Sequence, residues 1–315
     1  MLTFTNPRRK SLNFGHRIVE AICRRIISEK TGTPLPTFCR LLVEMKDEDH
    51  LKTEILLISP DGSDLRCVLK YCEFTADANR LLGENPVKEA HMFDMLTNII
   101  AKEGKSGGGE FILECYTKKI YSNSVFFELE YCPGGDLLQA FQNNILTSLG
   151  DKKRLLTEGC KAVAWLHGHG IIHRDISLEN FFIGKDNRCR LADFGQACTV
   201  AQHNSTPAWH QFGKKKYRAP EQNTSLKYCG KSADIFSLGV TFCCLLTGLT
   251  PFGVAHSMDV QWRILQQHGI QKIVTSWRLP FVVPASALDL IGKMMCLQPT
   301  RISIEEVLQH PFLAE

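Results

Sequence analysis

The stretch Ile171-Ile172-His173-Arg174-Asp175-Ile176-Ser177-Leu178-Glu179-Asn180-Phe181-Phe182-Ile183 decides how the rest of the chain is read. Charged and polar residues are set between two apolar, strand-like runs. Asn180 follows Asp175 by five residues, and Asp193-Phe194-Gly195 comes soon after. Tyr217-Arg218-Ala219-Pro220-Glu221 closes the region. Upstream, Leu155, Leu156, Val163 and Leu166 fit one face of a helix ending at Gly168. Downstream, Ala233–Leu246 is apolar on nearly every side, the pattern of a helix buried all round. Further short helices are expected over 256–313.

Before Pro133-Gly134-Gly135 the pattern is different. Residues 37–131 are rich in strand signals: Phe38–Met45, Glu54–Ser59, Leu65–Phe74, Phe111–Ile120 and Val125–Tyr131. Pro60-Asp61-Gly62-Ser63-Asp64 reads as a turn, and Gly104–Gly109 as a flexible loop. Asn85-Pro86 opens one helix, running through Glu89, Met92, Phe93 and Leu96. The expected fold class is α+β, with a small β-rich lobe (37–131), a hinge and a larger helical lobe (132–313). Residues 1–36 form a basic extension. Its segment 12–28 has a helical pattern suited to packing on the body, or to a peripheral membrane surface or a partner.

Composition bounds the rest. The 315 residues are 44% hydrophobic and 22% charged, as in soluble globular domains. The net charge of +4 is too small to argue for nucleic-acid binding. The apolar run Leu238–Leu246 is far below the ~20 residues of a membrane span. Thirteen cysteines include no C-x-x-C pair, and their number is odd. They read as small core residues in a reducing compartment. No secretory leader is visible in Met1–Lys10, so the expected location is cytoplasmic or nuclear.

His173-Arg174-Asp175, Asn180, Asp193-Phe194-Gly195 and Ala219-Pro220-Glu221, in this order and spacing, make the chain resemble the eukaryotic protein kinases over residues 38–313. The resemblance implies a bilobal fold, ATP and Mg²⁺ as cofactors, and protein substrates phosphorylated on serine or threonine. Asp175 would accept the substrate hydroxyl's proton. Asn180 and Asp193 would offer oxygen ligands to Mg²⁺, a hard cation that prefers oxygen. Lys70 would hold the α- and β-phosphates, fixed by Glu89, which lies 19 residues on. Val68 would sit against the adenine, and Leu129 would be the gatekeeper. The backbones of Glu130 and Cys132 would bond the base, with Asp136 at the ribose. Asp234 and Arg301 match structural positions: one props the catalytic loop, and the other pairs with Glu221. Arg174 suggests control by a phosphate on Thr206 or Ser205.

Two departures qualify the resemblance. No G-x-G-x-x-G precedes Lys70; the segment reads Glu44-Met45-Lys46-Asp47-Glu48-Asp49-His50-Leu51-Lys52. A carboxylate 4 Å from a phosphate charge costs roughly 1 kcal/mol even in bulk water. Some kinases of apicomplexan parasites share this absence, and the His173–Asn180 run with Gly213-Lys214 is similar to protist kinases. The second departure is paired. The family's lysine two residues after the aspartate is Ser177 here, and its threonine three residues before Tyr217 is Lys214. Ser177 and Lys214 read as a reciprocal exchange, with Lys214 supplying the missing charge to catalysis. The alternative function is a pseudokinase acting as a scaffold or allosteric partner. A small-molecule kinase would lack Ala219-Pro220-Glu221.

Overall fold

A computed structural model describes residues 38–46, 51–59, 66–74, 85–205, 212–223 and 227–314. The expected helix over 12–28, the hairpin tip 47–50, the turn 60–64 and Thr206 lie outside the described residues. The chain divides into two compact units. One holds the described residues up to 74 and those from 114 to 131; the other holds 85–113 and 132–314.

The first unit is a five-stranded antiparallel sheet. Its strands are β1 (Phe38–Lys46), β2 (Leu51–Ser59), β3 (Cys67–Phe74), β4 (Cys115–Ile120) and β5 (Ser124–Glu130). The strand order is β1-β2-β3-β5-β4. Register places Lys70 between Ile55 of β2 and Phe127 of β5, and Val68 opposite Leu129. Leu56, Leu69, Val125 and Phe127 are buried, as the period-2 patterning requires. The β1–β2 pairing continues to Lys46 opposite Lys52, so the acidic stretch is confined to the connection.

The second unit opens with α1 (Pro86–Glu103). Asn85 caps it, its side-chain oxygen accepting from the amides of Val87 (3.0 Å) and Lys88 (3.1 Å), with proline at the first turn. The sequence groups this helix with the β-rich half, yet in the structure it belongs with the helical unit. The reason is local bonding. The Asn85 amide donates to Gly195 O (3.4 Å), Phe93 packs edge-on to Phe194 (5.4 Å), and the Leu113 amide donates to Leu191 O (2.9 Å).

The expected loop 104–109 needs correcting. Ser106–Phe111 is a 3₁₀ turn with Gly108, Gly109 and Phe111 buried. Gly108 has φ of 130°, and a Cβ there would come within 2.3 Å of Lys161 O. The glycines allow close backbone approach to a helix rather than flexibility. The strand expected from Phe111 therefore starts only at Cys115.

That helix is α3 (Leu149–Gly168), which follows the short α2 (Leu137–Gln142). Small antiparallel pairs come next. These are β6 (Ile171–Ile172) with β9 (Cys198–Thr199), and β7 (Phe181–Ile183) with β8 (Cys189–Leu191). After α4 (Val200–Ser205) the unit continues with α5 (Gly230–Thr247), α6 (Val260–Ser276), α7 (Ala285–Met294), α8 (Ile304–Gln309) and α9 (Pro311–Ala314). Almost every residue of α5 is buried. Phe236 on α5, Phe252 and Trp262 on α6 make an aromatic cluster with centroids 5.2–5.9 Å apart. Eleven described cysteines are free thiols, most of them buried.

Candidate active site

Two short strands hold the decisive loop. β6 ends at Ile172 and β7 begins at Phe181, so the residues between them turn while both ends are anchored. The turn is tight. Arg174 has φ of +66°, a left-handed conformation that is uncommon away from glycine. Asp234, at 2% exposure on buried α5, holds it there. Its two carboxylate oxygens accept from the amides of His173 and Arg174, both at 2.8 Å. His167 adds a bond of 3.0 Å. Burial alone would raise the Asp234 carboxyl. The bond and positive potential of His167, together with His173, outweigh burial and hold it below the usual carboxylate range.

Asp175 follows, at 4% exposure. Its Oδ2 accepts from Asn180 Nδ2 (2.9 Å), which also donates to Asp175 O (2.7 Å). Its Oδ1 accepts from the Lys214 amide (3.2 Å). Burial pushes the carboxyl up; Lys214 draws it down, while the charge of Asp193 pushes it up again, and the balance is a raised pKa. Asp193, like Arg174, has positive φ (+63°). Its Oδ1 accepts from the Gly195 amide at 3.4 Å.

Lys214 arrives from a distant segment. Gly213 has φ of +80°, and a Cβ there would lie 2.8 Å from Arg174 O. Only glycine lets the two backbones meet so closely. Lys214 Nζ then donates to Ser177 Oγ (2.7 Å) and approaches Asn180 Oδ1 (3.4 Å) and Asp175 Oδ2 (3.7 Å). One ammonium thus contacts a hydroxyl, an amide oxygen and a carboxylate.

Two residues of this clamp carried no sequence expectation. Gln196 O accepts from Arg174 Nε (2.5 Å), and Gln196 Oε1 accepts from the Gly213 amide (2.7 Å). Phe212 lies flat beneath the Arg174 guanidinium, 3.6 Å from its carbon to the ring centroid. The one available signal was position: Gln196 directly follows Asp193-Phe194-Gly195, and Phe212 directly precedes Gly213.

The remaining expected residues are placed as follows. Glu221 and Arg301 form a two-pronged pair at 2.6 and 3.1 Å, with Arg301 also donating to Ser232 O and Cys296 O. Asp136 is buried and caps α2, its Oδ1 accepting from the Gln139 amide at 2.8 Å. Burial raises its carboxyl, and the charge of Glu179 adds to the rise. Glu89 is buried in the first turn of α1. In the other unit, Lys70 Nζ stands 5.8 Å over the Phe127 ring, and Val68 is flanked by Leu129. The Glu130 amide donates to Glu114 O (2.9 Å), and Cys132 O accepts from the Gly135 amide (3.1 Å).

Asn180 Oδ1 and the Asp193 carboxylate are hard oxygen donors, which fits Mg²⁺. Among the described residues no cluster of three or more His, Cys, Asp or Glu side chains forms a resident metal site. Such a donor set suits a cation that arrives with a phosphate ligand and keeps several of its waters.

Comparison with known proteins gives a consistent result. A family model described as "Protein kinase domain" matches residues 95–313. The chain is 34% identical over 203 residues to the serine/threonine-protein kinase kin-29 of Caenorhabditis briggsae, covering 64% of this chain and 24% of that protein. It is 31% identical over 206 residues to a putative serine/threonine-protein kinase, YPL150W, of Saccharomyces cerevisiae, covering 64% and 22%. It is similar also to the maternal embryonic leucine zipper kinase of Xenopus tropicalis, at 31% over 197 residues, covering 61% and 28%. The chain spans about a quarter of the length of these relatives.

Proposed function

This chain belongs to the protein kinase domain family, and from that premise we propose that it transfers the γ-phosphate of ATP to serine and threonine hydroxyls of protein substrates. The observation that carries the proposal is the convergence of Asp175, Asn180 and Lys214: Asn180 bonds the Asp175 carboxylate at 2.9 Å, and the Lys214 ammonium lies 3.4 Å from Asn180 Oδ1 and 3.7 Å from Asp175 Oδ2. Phosphoryl transfer needs alignment and charge neutralisation more than covalent help. Asp175 orients the substrate hydroxyl and takes its proton. Its raised pKa makes it a stronger base than an exposed aspartate.

Asn180 and Asp193 would hold Mg²⁺, which when bound screens the charge on the phosphate oxygens. Lys70 serves as the phosphate-binding cation, with Glu89 as its counter-charge by family resemblance. Val68 and Leu129 line the base, and the backbone at Glu130 and Cys132 meets its edge. Asp136, already a helix cap, is left a secondary part at the ribose.

The Ser177–Lys214 exchange is part of the proposal. The family's ammonium rises from the catalytic loop itself. Here the ammonium of Lys214 crosses from the segment after Gly213, supported by its 2.7 Å bond to Ser177 Oγ. It keeps a positive charge beside the acceptor hydroxyl and steadies Asn180.

A second reading, a pseudokinase scaffold, is favoured by the glycine-free, acidic connection between β1 and β2. Thermal-shift titration with Mg·ATP, run beside Asp193→Ala and followed by a phosphotransfer assay, separates the two. A ligand at 100 times Kd stabilises by about 2.7 kcal/mol, a rise that is readily seen. Stabilisation with turnover, both lost in Asp193→Ala, supports the kinase. Stabilisation without turnover supports the scaffold.

A further inference from the structure

His169 stands where the C-terminal ends of two helices meet. It follows Gly168, the last residue of α3, and its amide closes that helix onto Trp165 O (3.2 Å) and Leu166 O (3.1 Å). Its ring reaches Glu103, the last residue of α1. Nδ1 lies 2.7 Å from Trp165 O, and Nε2 lies 3.0 Å from Glu103 Oε2. A carbonyl and a carboxylate both accept. A neutral imidazole carries one N–H and can serve only one of them; the imidazolium serves both. Two further features favour the cation. The carbonyl ends of α1 and α3 are the negative poles of their helices, and Glu103 adds its own charge at one of them. The Trp165 ring packs against the imidazole, with centroids 4.4 Å apart.

Among the described residues, the other ionisable groups on the neighbouring elements are Lys102 on α1, Lys105 and Glu110 at the 3₁₀ turn, Lys161 and His167 on α3, and His203 on α4. His167 is bonded to Asp234, His203 to Tyr228 O, and Glu110 to the Gly108 amide. The charge that acts on the His169 ring is that of Glu103. Burial works against a proton there, but the Glu103 bond, the Trp165 carbonyl and the Glu103 charge outweigh it, and His169 keeps its proton to higher pH than an ordinary histidine. We propose that His169 is a protonation-dependent clasp: as the imidazolium it ties the end of α1 to the end of α3, and on losing its proton it keeps the Trp165 bond and releases Glu103. The clasp is complete below the unfolded value of 6.5 and is lost as pH rises through the higher folded value. Because α1 bears Glu89 in its first turn, the clasp holds the far end of the helix that carries the expected counter-charge of Lys70.

Two measurements on the full chain follow the ring and the helix separately. Nitrogen-15 NMR of the histidine rings, with His169 assigned by its loss in His169→Gln, reads protonation. Hydrogen exchange over residues 97–104, corrected for the intrinsic pH dependence of exchange, reads the end of α1. At about pH 6 the His169 ring carries two N–H groups. Towards about pH 9 it loses one, and protection of the end of α1 falls in step by about two- to fivefold, the scale of a solvent-accessible ion pair. Glu103→Gln keeps the shape of the side chain, and its amide can accept from a charged ring or donate to a neutral one. In that variant the ring's midpoint moves down and protection no longer follows it. A ring already neutral at about pH 6, protection that stays constant through the ring's titration, or a pH dependence that survives in Glu103→Gln overturns the proposal. Neither measurement involves nucleotide or turnover, so the clasp and the phosphotransfer reading stand or fall separately.

Discussion

Lys214 and Ser177 share a hydrogen bond across 37 residues of chain, so each can be tested through the other. Lys214→Ala is expected to lower kcat by about 10²-fold, the scale of a lost charge-stabilising donor, with KM for ATP little changed. Lys214→Thr combined with Ser177→Lys, which restores the family's arrangement, should recover activity beyond the sum of the single changes. A double-mutant cycle in kcat reads this directly. Additive losses would show that the two side chains do not act together.

Asp175 adds a pH signature. Its folded pKa lies above 3.8, so its ionised fraction falls earlier on acidification than for an exposed aspartate. The acid limb of kcat/KM should therefore be displaced upward from 3.8. In Lys214→Ala it should move further up, because Lys214 is what draws this carboxyl down. A limb that stays in place in the variant would contradict the electrostatic account.

The contact between Asp175 and Asn180 was legible from residue type and spacing, because a short loop between two strands leaves little freedom. The Lys214 contact was legible only as a paired departure from a family pattern. Gln196 and Phe212 were not legible, since backbone carbonyls and ring faces carry no motif.

At the scale of elements, the described stretch that opens at Phe212 is anchored beside the catalytic loop by Phe212 under Arg174 and by Gly213, whose amide donates to Gln196 Oε1. Arg174 already has protein partners in the Gln196 carbonyl and the Phe212 ring. Phe212→Ala should loosen the approach of Lys214 to Asp175 and lower kcat by about ten- to a hundredfold, as small misplacements do. Ser205→Ala with Thr206→Ala should cost less, and parallel kinetics of the two variants provide the check. The 3₁₀ turn before β4 offers a stability test. In Gly108→Ala a Cβ would enter the backbone of α3, so unfolding should become easier by a few kcal/mol, about 1–3. Glycine content alone reads as looseness; the close approach to α3 depends on residues some fifty positions away in sequence, and no local pattern announces it. By contrast, α1 and α5 could be read in advance, one from its Asn85-Pro86 start and the other from its uniform apolar composition.

For the molecule as a whole, two buried charge groups tie the helical unit together. Asp234 joins the catalytic loop to α5, and Arg301 joins the Glu221 region to the chain before α8. Arg301→Ala removes the two-pronged ion pair with Glu221 and should cost about 3–5 kcal/mol, measured as a lower urea midpoint. The Asp234 pKa is depressed, so its stabilising contribution is complete above the unfolded value of 3.8 and fades as pH falls through the lower folded value. Acid titration followed by circular dichroism should show the wild type outlasting Asp234→Asn near neutrality, with the difference shrinking in strong acid. The division into two units was foreshadowed by the change of pattern at Pro133-Gly134-Gly135. The allegiance of α1 was not, because it is decided by contacts such as Phe93 on Phe194.

The distribution of sulfur gives each unit its own reporter. Cys67 and Cys72 are buried in the sheet, while Cys160, Cys189, Cys198, Cys243 and Cys244 are buried in the helical unit. Burial suppresses thiolate formation, raising Cys198 to about 11 and Cys244 to about 12. Among the described cysteines, a maleimide pulse on the native protein should therefore mark the exposed Cys229 first. Mass spectrometry of pulses taken at rising temperature would then date the opening of each compartment separately, so one wild-type sample would show which half of the molecule gives way first.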